Sequence, residues 1–237
     1  MAATAVHRCP KCGTYFEPAR PAASECPECG IWFHKWRVEP AQAEVIPIID
    51  DGEPDPGQRP EALIWYGRAA VLAFVAVWGV RLAATSYHDQ SLGASFMHDI
   101  VLPIHEAGHV LFRLLGEFMM VLGGSLFQVA LPLAIGAAFY WKQRDAFGAA
   151  ICLWWAGASL VDVSPYVWDA LDPQLVLLGG HTGAEGVHDW IYILGRFGAV
   201  QHAHGWGTFV HTLGVLTMIA GVAWGAWWLL RTRPLRT

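Results

Sequence analysis

The sequence predicts a mainly α fold, a polytopic membrane helical bundle of about five helices preceded by a small cysteine-rich module. Three observations predict it. The chain has 237 residues, 54% hydrophobic and only 15% charged, against about 25% charged in an ordinary soluble domain. The charge is also uneven: residues 1–61 hold 6 Lys/Arg and 10 Asp/Glu, leaving 9 and 10 for the other 176 positions. Finally, apolar segments approaching the roughly 20 residues needed to cross a bilayer recur after residue 61. The expected division is a module over 1–37, a Pro-rich acidic linker over 38–61 and a membrane-embedded domain over 62–237. A net charge of −5 argues against nucleic acid as an obligatory partner. The start, Met1-Ala-Ala-Thr-Ala-Val-His-Arg8, lacks the apolar run of a cleavable signal, so the first hydrophobic segment is expected to act as an anchor.

In the module, Cys9-Pro-Lys-Cys12-Gly13 and Cys26-Pro-Glu-Cys29-Gly30 are separated by 13 residues. Each CxxC turn brings two thiolates to one ion, and a glycine after it relieves strain at the knuckle. Two such turns make a tetrahedral four-cysteine site, and this part of the chain resembles a zinc ribbon. With so little core, a structural Zn2+ at Cys9, Cys12, Cys26 and Cys29 would supply much of the folding energy. Disulfides or free thiols are the alternative, which the reducing compartment expected here disfavours. Such a module suits a structural or docking role, for instance toward an adaptor.

Five apolar segments follow the linker. The first covers about 62–84. The second, about 98–120, ends before Gly123-Gly124, and a third runs to about Trp141. Lys142-Gln-Arg-Asp145 makes a polar turn before a fourth segment over about 147–168, and the last spans about 207–230. Trp65, Tyr66, Tyr140, Trp141, Trp227 and Trp228 suit the bilayer interfaces. The four-cysteine module favours a cytoplasmic N-terminus in a bacterial inner membrane. Five full spans would then put Lys142, Arg144 and the basic C-terminal tail outside, against the positive-inside tendency. That conflict is removed if one segment is re-entrant or the hairpin 98–141 does not cross twice.

The second segment carries His105-Glu106-Ala107-Gly108-His109. Histidines at i and i+4 share one helix face, where both imidazoles can hold a metal ion, and Glu106 beside them can serve as general base. His98, Asp99, His105, Glu106, His109, Arg113 and Glu117 recur at spacings of 7 and 4, forming one polar stripe. Charge in a bilayer costs about 3 kcal/mol or more unless it faces protein or water, so this helix belongs inside the bundle. A salt-bridge ladder involving Arg113 is the bland alternative. Pro103 can start the helix and leave His98 and Asp99 outside it.

A zinc site needs at least one further protein ligand. The fourth segment offers Asp162 and Asp169, seven apart on either side of Pro165. Depth favours Asp162, and a kink at Pro165 would turn Asp169 aside. HExxH in one membrane helix with an Asp in a later one resembles the site-2 protease family of intramembrane metalloproteases. Their later motif, Asn-x-x-Pro-x-x-x-Leu-Asp-Gly, corresponds to Asp162-Val-Ser-Pro165-Tyr-Val-Trp-Asp169-Ala170, with Asp for Asn, one residue fewer between Pro and Asp, and Ala for Gly. Their Gly-Pro-x-x-Asn corresponds to Gly124-Ser-Leu-Phe-Gln128. The resemblance covers about 98–170 and implies Asp169 as ligand and Gln128 as a substrate-binding residue.

Residues 171–206 are Gly-rich and polar, with His181, His188-Asp189, His202 and His204. Gly179, Gly180 and Gly183 would let this loop fold over a cavity, and His188-Asp189 could reach the metal or a substrate carbonyl. The expectation is therefore a zinc-dependent intramembrane endopeptidase. One Zn2+ is catalytic at His105, His109 and Asp162 or Asp169, one is structural, and Glu106 is the base. Its partners would be the lipid bilayer and a membrane protein substrate. A non-catalytic scaffold whose ribbon recruits partners, or a metal-handling membrane protein using the loop histidines, are the alternatives.

Overall fold

A computed structural model describes residues 5–35, 62–88 and 91–234. The linker expected over 38–61 lies wholly outside the described residues. The chain forms two compact units, Met1–Glu53 and Pro54–Thr237.

In the first unit, β1 (Ala5–Arg8) pairs antiparallel with β2 (Tyr15–Pro21). The two cysteine turns repeat one geometry. The Gly13 N–H donates to Cys9 O and the Gly30 N–H to Cys26 O, at 3.0 and 2.9 Å. Both glycines sit at positive φ, 77° and 72°, where a side chain would be strained. Phe16 and Phe33 meet edge to face at 5.8 Å and form, with Cys9 and Cys26, the small buried core.

The second unit is helical: α1 (Ala62–Ala84), α2 (Phe96–Phe112), α3 (Glu117–Trp141), α4 (Ala146–Asp169), α5 (Asp189–Arg196) and α6 (Ala203–Arg231). Central α4 packs against α1, α2, α3 and α6. Glycines at 207, 214 and 221 let α6 lie directly on it: a Cβ at Gly214 would meet Gly157 O at 2.8 Å and one at Gly221 the Trp154 N at 2.7 Å. Small residues provide this kind of close contact where water supplies no driving force between helices. Apolar side chains of the outer helices, among them Phe74, Val77, Val80, Leu216 and Ile219, are exposed.

Among the described residues, four helices are long and apolar enough to cross a membrane, namely α1, α3, α4 and the helix that ends at Arg231. The second predicted segment is not among them. Its helix stops at Phe112, a single 3-10 turn covers Arg113–Leu115, and Gly116 turns the chain at φ 95°. The expected stripe is thereby cut: Arg113 and Glu117 lie exposed beyond its end. Gly123-Gly124, expected as a break, lies inside α3. At its start α2 is capped by Ser95, whose hydroxyl accepts from the His98 N–H at 3.2 Å. His98 and Asp99 thus belong to the first turn, and Pro103 is inside the helix. Phe96 stacks on Trp78, which in turn contacts Trp154. The start of α2 therefore lies at a level partway along α1 and α4.

This changes where the ends of the helices fall. The Trp65 indole donates to Leu229 O at 2.9 Å, and Arg68 pairs with Asp145 at 3.3 Å while lying 4.7 Å over the Trp228 ring. The start of α1, the turn between α3 and α4, and the end of α6 therefore share one end of the bundle. At the other end Tyr87 stacks on His211, and Trp168 on His204.

Candidate metal centres and the cavity around His105

In the first unit the four cysteine sulfurs lie within 4.8 Å of one another, with Cys9 Sγ 3.6 Å from Cys29 Sγ and Cys12 Sγ 3.8 Å from Cys26 Sγ. None is in a disulfide, so this cluster could hold a metal ion. The thiolate is the form that binds metal. The Thr14 hydroxyl, 3.1 Å from Cys12 Sγ, together with a backbone hydrogen bond from Thr14, pulls the Cys12 thiol down to about 6.

The second cluster is His105, His109 and Asp189, whose ligand atoms also lie within 4.8 Å of one another. Both histidine Nε2 atoms are 3.2 Å from one oxygen, Asp189 Oδ2. The opposite ring nitrogens identify the tautomers. His109 Nδ1 lies 2.8 Å from Met120 O, and a carbonyl only accepts, so Nδ1 carries the hydrogen. His105 Nδ1 lies 2.7 Å from Gln128 Oε1. The Gln128 amide nitrogen is engaged elsewhere, donating to Ser159 O at 3.2 Å and to Asp162 Oδ2 at 3.4 Å. Its oxygen therefore faces His105 and accepts from it. Both Nε2 atoms then turn lone pairs toward a carboxylate oxygen. Three acceptors converging in a largely buried place are satisfied by a shared cation or by added protons.

Space for an ion comes from α3. A Cβ on Gly124 would sit 2.5 Å from His105 Nε2 and 2.6 Å from His109 Nε2, in the volume between the two donors. Gly124→Ala removes no ligand, yet it should abolish metal binding at this centre while the cysteine centre keeps its ion. Element analysis of the variant, showing one metal ion fewer per chain than wild type, checks this; an unchanged count would contradict it.

The sequence-derived candidates take distinct places. Asp189, and neither Asp162 nor Asp169, is the carboxylate at the two imidazoles. Buried Asp162 accepts from Gln128 and sits 3.0 Å from His98 Nδ1. Asp169 clasps the loop after α4: one oxygen accepts the N–H groups of Gln174 and Leu175 at 2.7 and 3.0 Å, and the other is 3.2 Å from His188 Nε2. His188 caps α5, its Nδ1 accepting the Ile191 N–H at 3.3 Å. Its Nε2 therefore donates to Asp169. His188 and Asp169 together set Asp189 at the first position of α5, and Trp190 fastens that turn to Ser125 of α3 at 3.1 Å. His204 stacks on Trp168, away from this centre.

A cavity of ≈ 680 Å³ opens onto the centre. Glu106, half-buried, lines its wall together with His98, Tyr166 and His181. Tyr166 is a residue that the sequence reading did not single out. Its Oη accepts the Asp189 backbone N–H at 3.0 Å, which leaves its own hydrogen available to another acceptor. The loop from Leu175 to Leu178 covers the cavity, and a bridge between Val176 and Thr182 holds this loop. Comparison with family models, curated proteins and solved structures finds no match to this chain.

Proposed function

We propose that the protein is a zinc-dependent intramembrane endopeptidase, of the type that the resemblance to site-2 proteases implies. The observation that carries this reading is the convergence of His105 Nε2, His109 Nε2 and Asp189 Oδ2 beside Glu106 in a cavity within a membrane bundle. Two histidines and one carboxylate are a donor set that suits zinc and leaves a position open for the reactants. A zinc ion held there by His105, His109 and Asp189 would polarise a carbonyl and make water nucleophilic at neutral pH.

The chain's own groups do the rest. Glu106 takes a proton from the attacking water and returns it to the leaving amine as the C–N bond breaks. Tyr166 donates its free hydrogen to the carbonyl oxygen as negative charge develops there. The substrate is a segment in or near the membrane, unwound so that its backbone reaches the cavity. The four-cysteine centre holds a structural zinc in a ribbon-like module, a place for an adaptor. The test is incubation of the purified protein, in lipid nanodiscs, with membrane-spanning peptides. Cleavage that a chelator stops supports the reading, and a metal-loaded protein that cleaves none contradicts it.

The same reading extends to orientation. The end that carries the start of α1 also holds Arg68, Lys142, Arg144, Arg231 and Arg233, while Arg81, Arg113 and Arg196 lie toward the other. The positive-inside tendency assigns the first end to the cytosol, and four spans remove the conflict that five created. The cavity, bounded by the outer third of α4 and the loop at 175–178, then opens toward the other side. In intact cells a membrane-impermeant maleimide should label Leu178→Cys and leave Gln143→Cys unlabelled. The reverse pattern would overturn the assignment.

A further inference from the structure

The polar groups buried farther into the bundle form one hydrogen-bonded line. His98 Nδ1 is 3.0 Å from Asp162 Oδ1, Asp162 Oδ2 accepts from Gln128 Nε2 at 3.4 Å, and Gln128 Oε1 is 2.7 Å from His105 Nδ1. Gln128 is 2% exposed, and its remaining donor goes to Ser159 O. Sequence similarity to a peptidase motif would give Gln128 a substrate to hold, but every polar atom of its amide is already committed inside the protein.

We propose that Gln128 and Asp162 are positioning residues of the metal centre: Asp162 orients the Gln128 amide, and the amide sets the tautomer and ring angle of His105. The proposal rests on the reading of His105, His109 and Asp189 as a metal site, and it is independent of proteolysis. A primary amide can turn either end toward an imidazole. With its nitrogen toward His105, it would require the hydrogen on Nε2 and so remove the lone pair from the metal side. Ser159 O and Asp162 Oδ2, both acceptors, oppose that flip. A carboxylate inside an apolar helix bundle is thereby given a task that an apolar residue cannot perform. His98, at the cavity wall, ends the line and satisfies the second carboxylate oxygen.

The experiment titrates Zn2+ against a competing chelator on the full-length protein, with the cysteine centre as internal reference. Gln128→Leu, close in volume, should weaken the helical centre about 10–100-fold, as loss of an outer hydrogen-bond partner does, and leave the cysteine centre unchanged. Gln128→Glu keeps an acceptor against His105 Nδ1 and should bind more tightly than Gln128→Leu. A purely structural role predicts the opposite order, because leucine packs in a bundle and a second carboxylate beside Asp162 does not. Asp162→Leu should weaken binding in the same direction, and Asp162→Asn, which can still accept from Gln128, should stay near wild type. Wild-type affinity in Gln128→Leu, or a Glu variant weaker than the Leu variant, overturns the proposal. A wild-type protein with no zinc at the helical centre overturns the metal-site reading along with it, an outcome recognisable before any variant is made.

Discussion

Glu106→Gln should retain as much metal as wild type and cleave membrane peptides about 10³-fold more slowly, within the range that general acid–base groups contribute. The substitution is nearly isosteric. Glu106 is not among the three residues whose donor atoms converge, so the centre keeps all its ligands. What is lost is a group able to take and return a proton. Glu106 stands one residue from His105 on the cavity wall. The check is paired: metal per chain by elemental analysis, and rate from the appearance of peptide fragments. Retained metal with unchanged cleavage would exclude Glu106 as the base. Lost metal would show that it is a ligand.

The second large effect separates the three candidate acids. Asp189→Ala should release metal from the helical centre, with an affinity loss exceeding the roughly 10–100-fold that outer partners cost. It removes the carboxylate that lies 3.2 Å from both Nε2 atoms and leaves two imidazole lone pairs facing an apolar methyl. Asp162→Asn should leave the metal in place, since an amide carbonyl still accepts from Gln128. Asp169→Asn should have an intermediate effect. It weakens the clasp on His188, Gln174 and Leu175 and so loosens Asp189 without replacing it. Chelator competition on the three variants reads this order directly. Loss of metal in Asp162→Asn with retention in Asp189→Ala would reverse the assignment.

Several of these features could be read from the chain alone, for local reasons. The bounds of α1, Ala62–Ala84, match an apolar segment whose centre, between Arg68 and Arg81, carries no charge. The polar turn at 142–145 follows from charge, with Asp145 capping α4 through the Gly148 N–H at 3.1 Å. The cysteine pairs announce their cluster by spacing. The end of α2 was hidden because Leu114 and Leu115 continue its apolar pattern, while the break depends on the conformation of Gly116, a single residue. Gly123-Gly124 looks like a turn in one dimension. In three it is the face on which α2 rests and where its two histidines need room.

The third carboxylate was the hardest to find. HExxH is a property of one helix turn, but its partner is selected by a chain reversal of some twenty residues. Depth pointed to Asp162 and the motif resemblance to Asp169, yet each is held by another group, His98 or His188. His188-Asp189 was marked as within reach of the metal. Spacing could not divide the pair into a cap and a ligand, because that depends on Asp169 clasping the loop and on Tyr166 accepting the Asp189 N–H.

The central claim is a second metal centre built from His105, His109 and Asp189, and counting metal per polypeptide tests it most directly. Purified full-length protein should carry two zinc ions, and Asp189→Ala one, held by the four cysteines. One ion in both proteins would contradict the account, because the cysteine cluster alone would then explain all the metal bound.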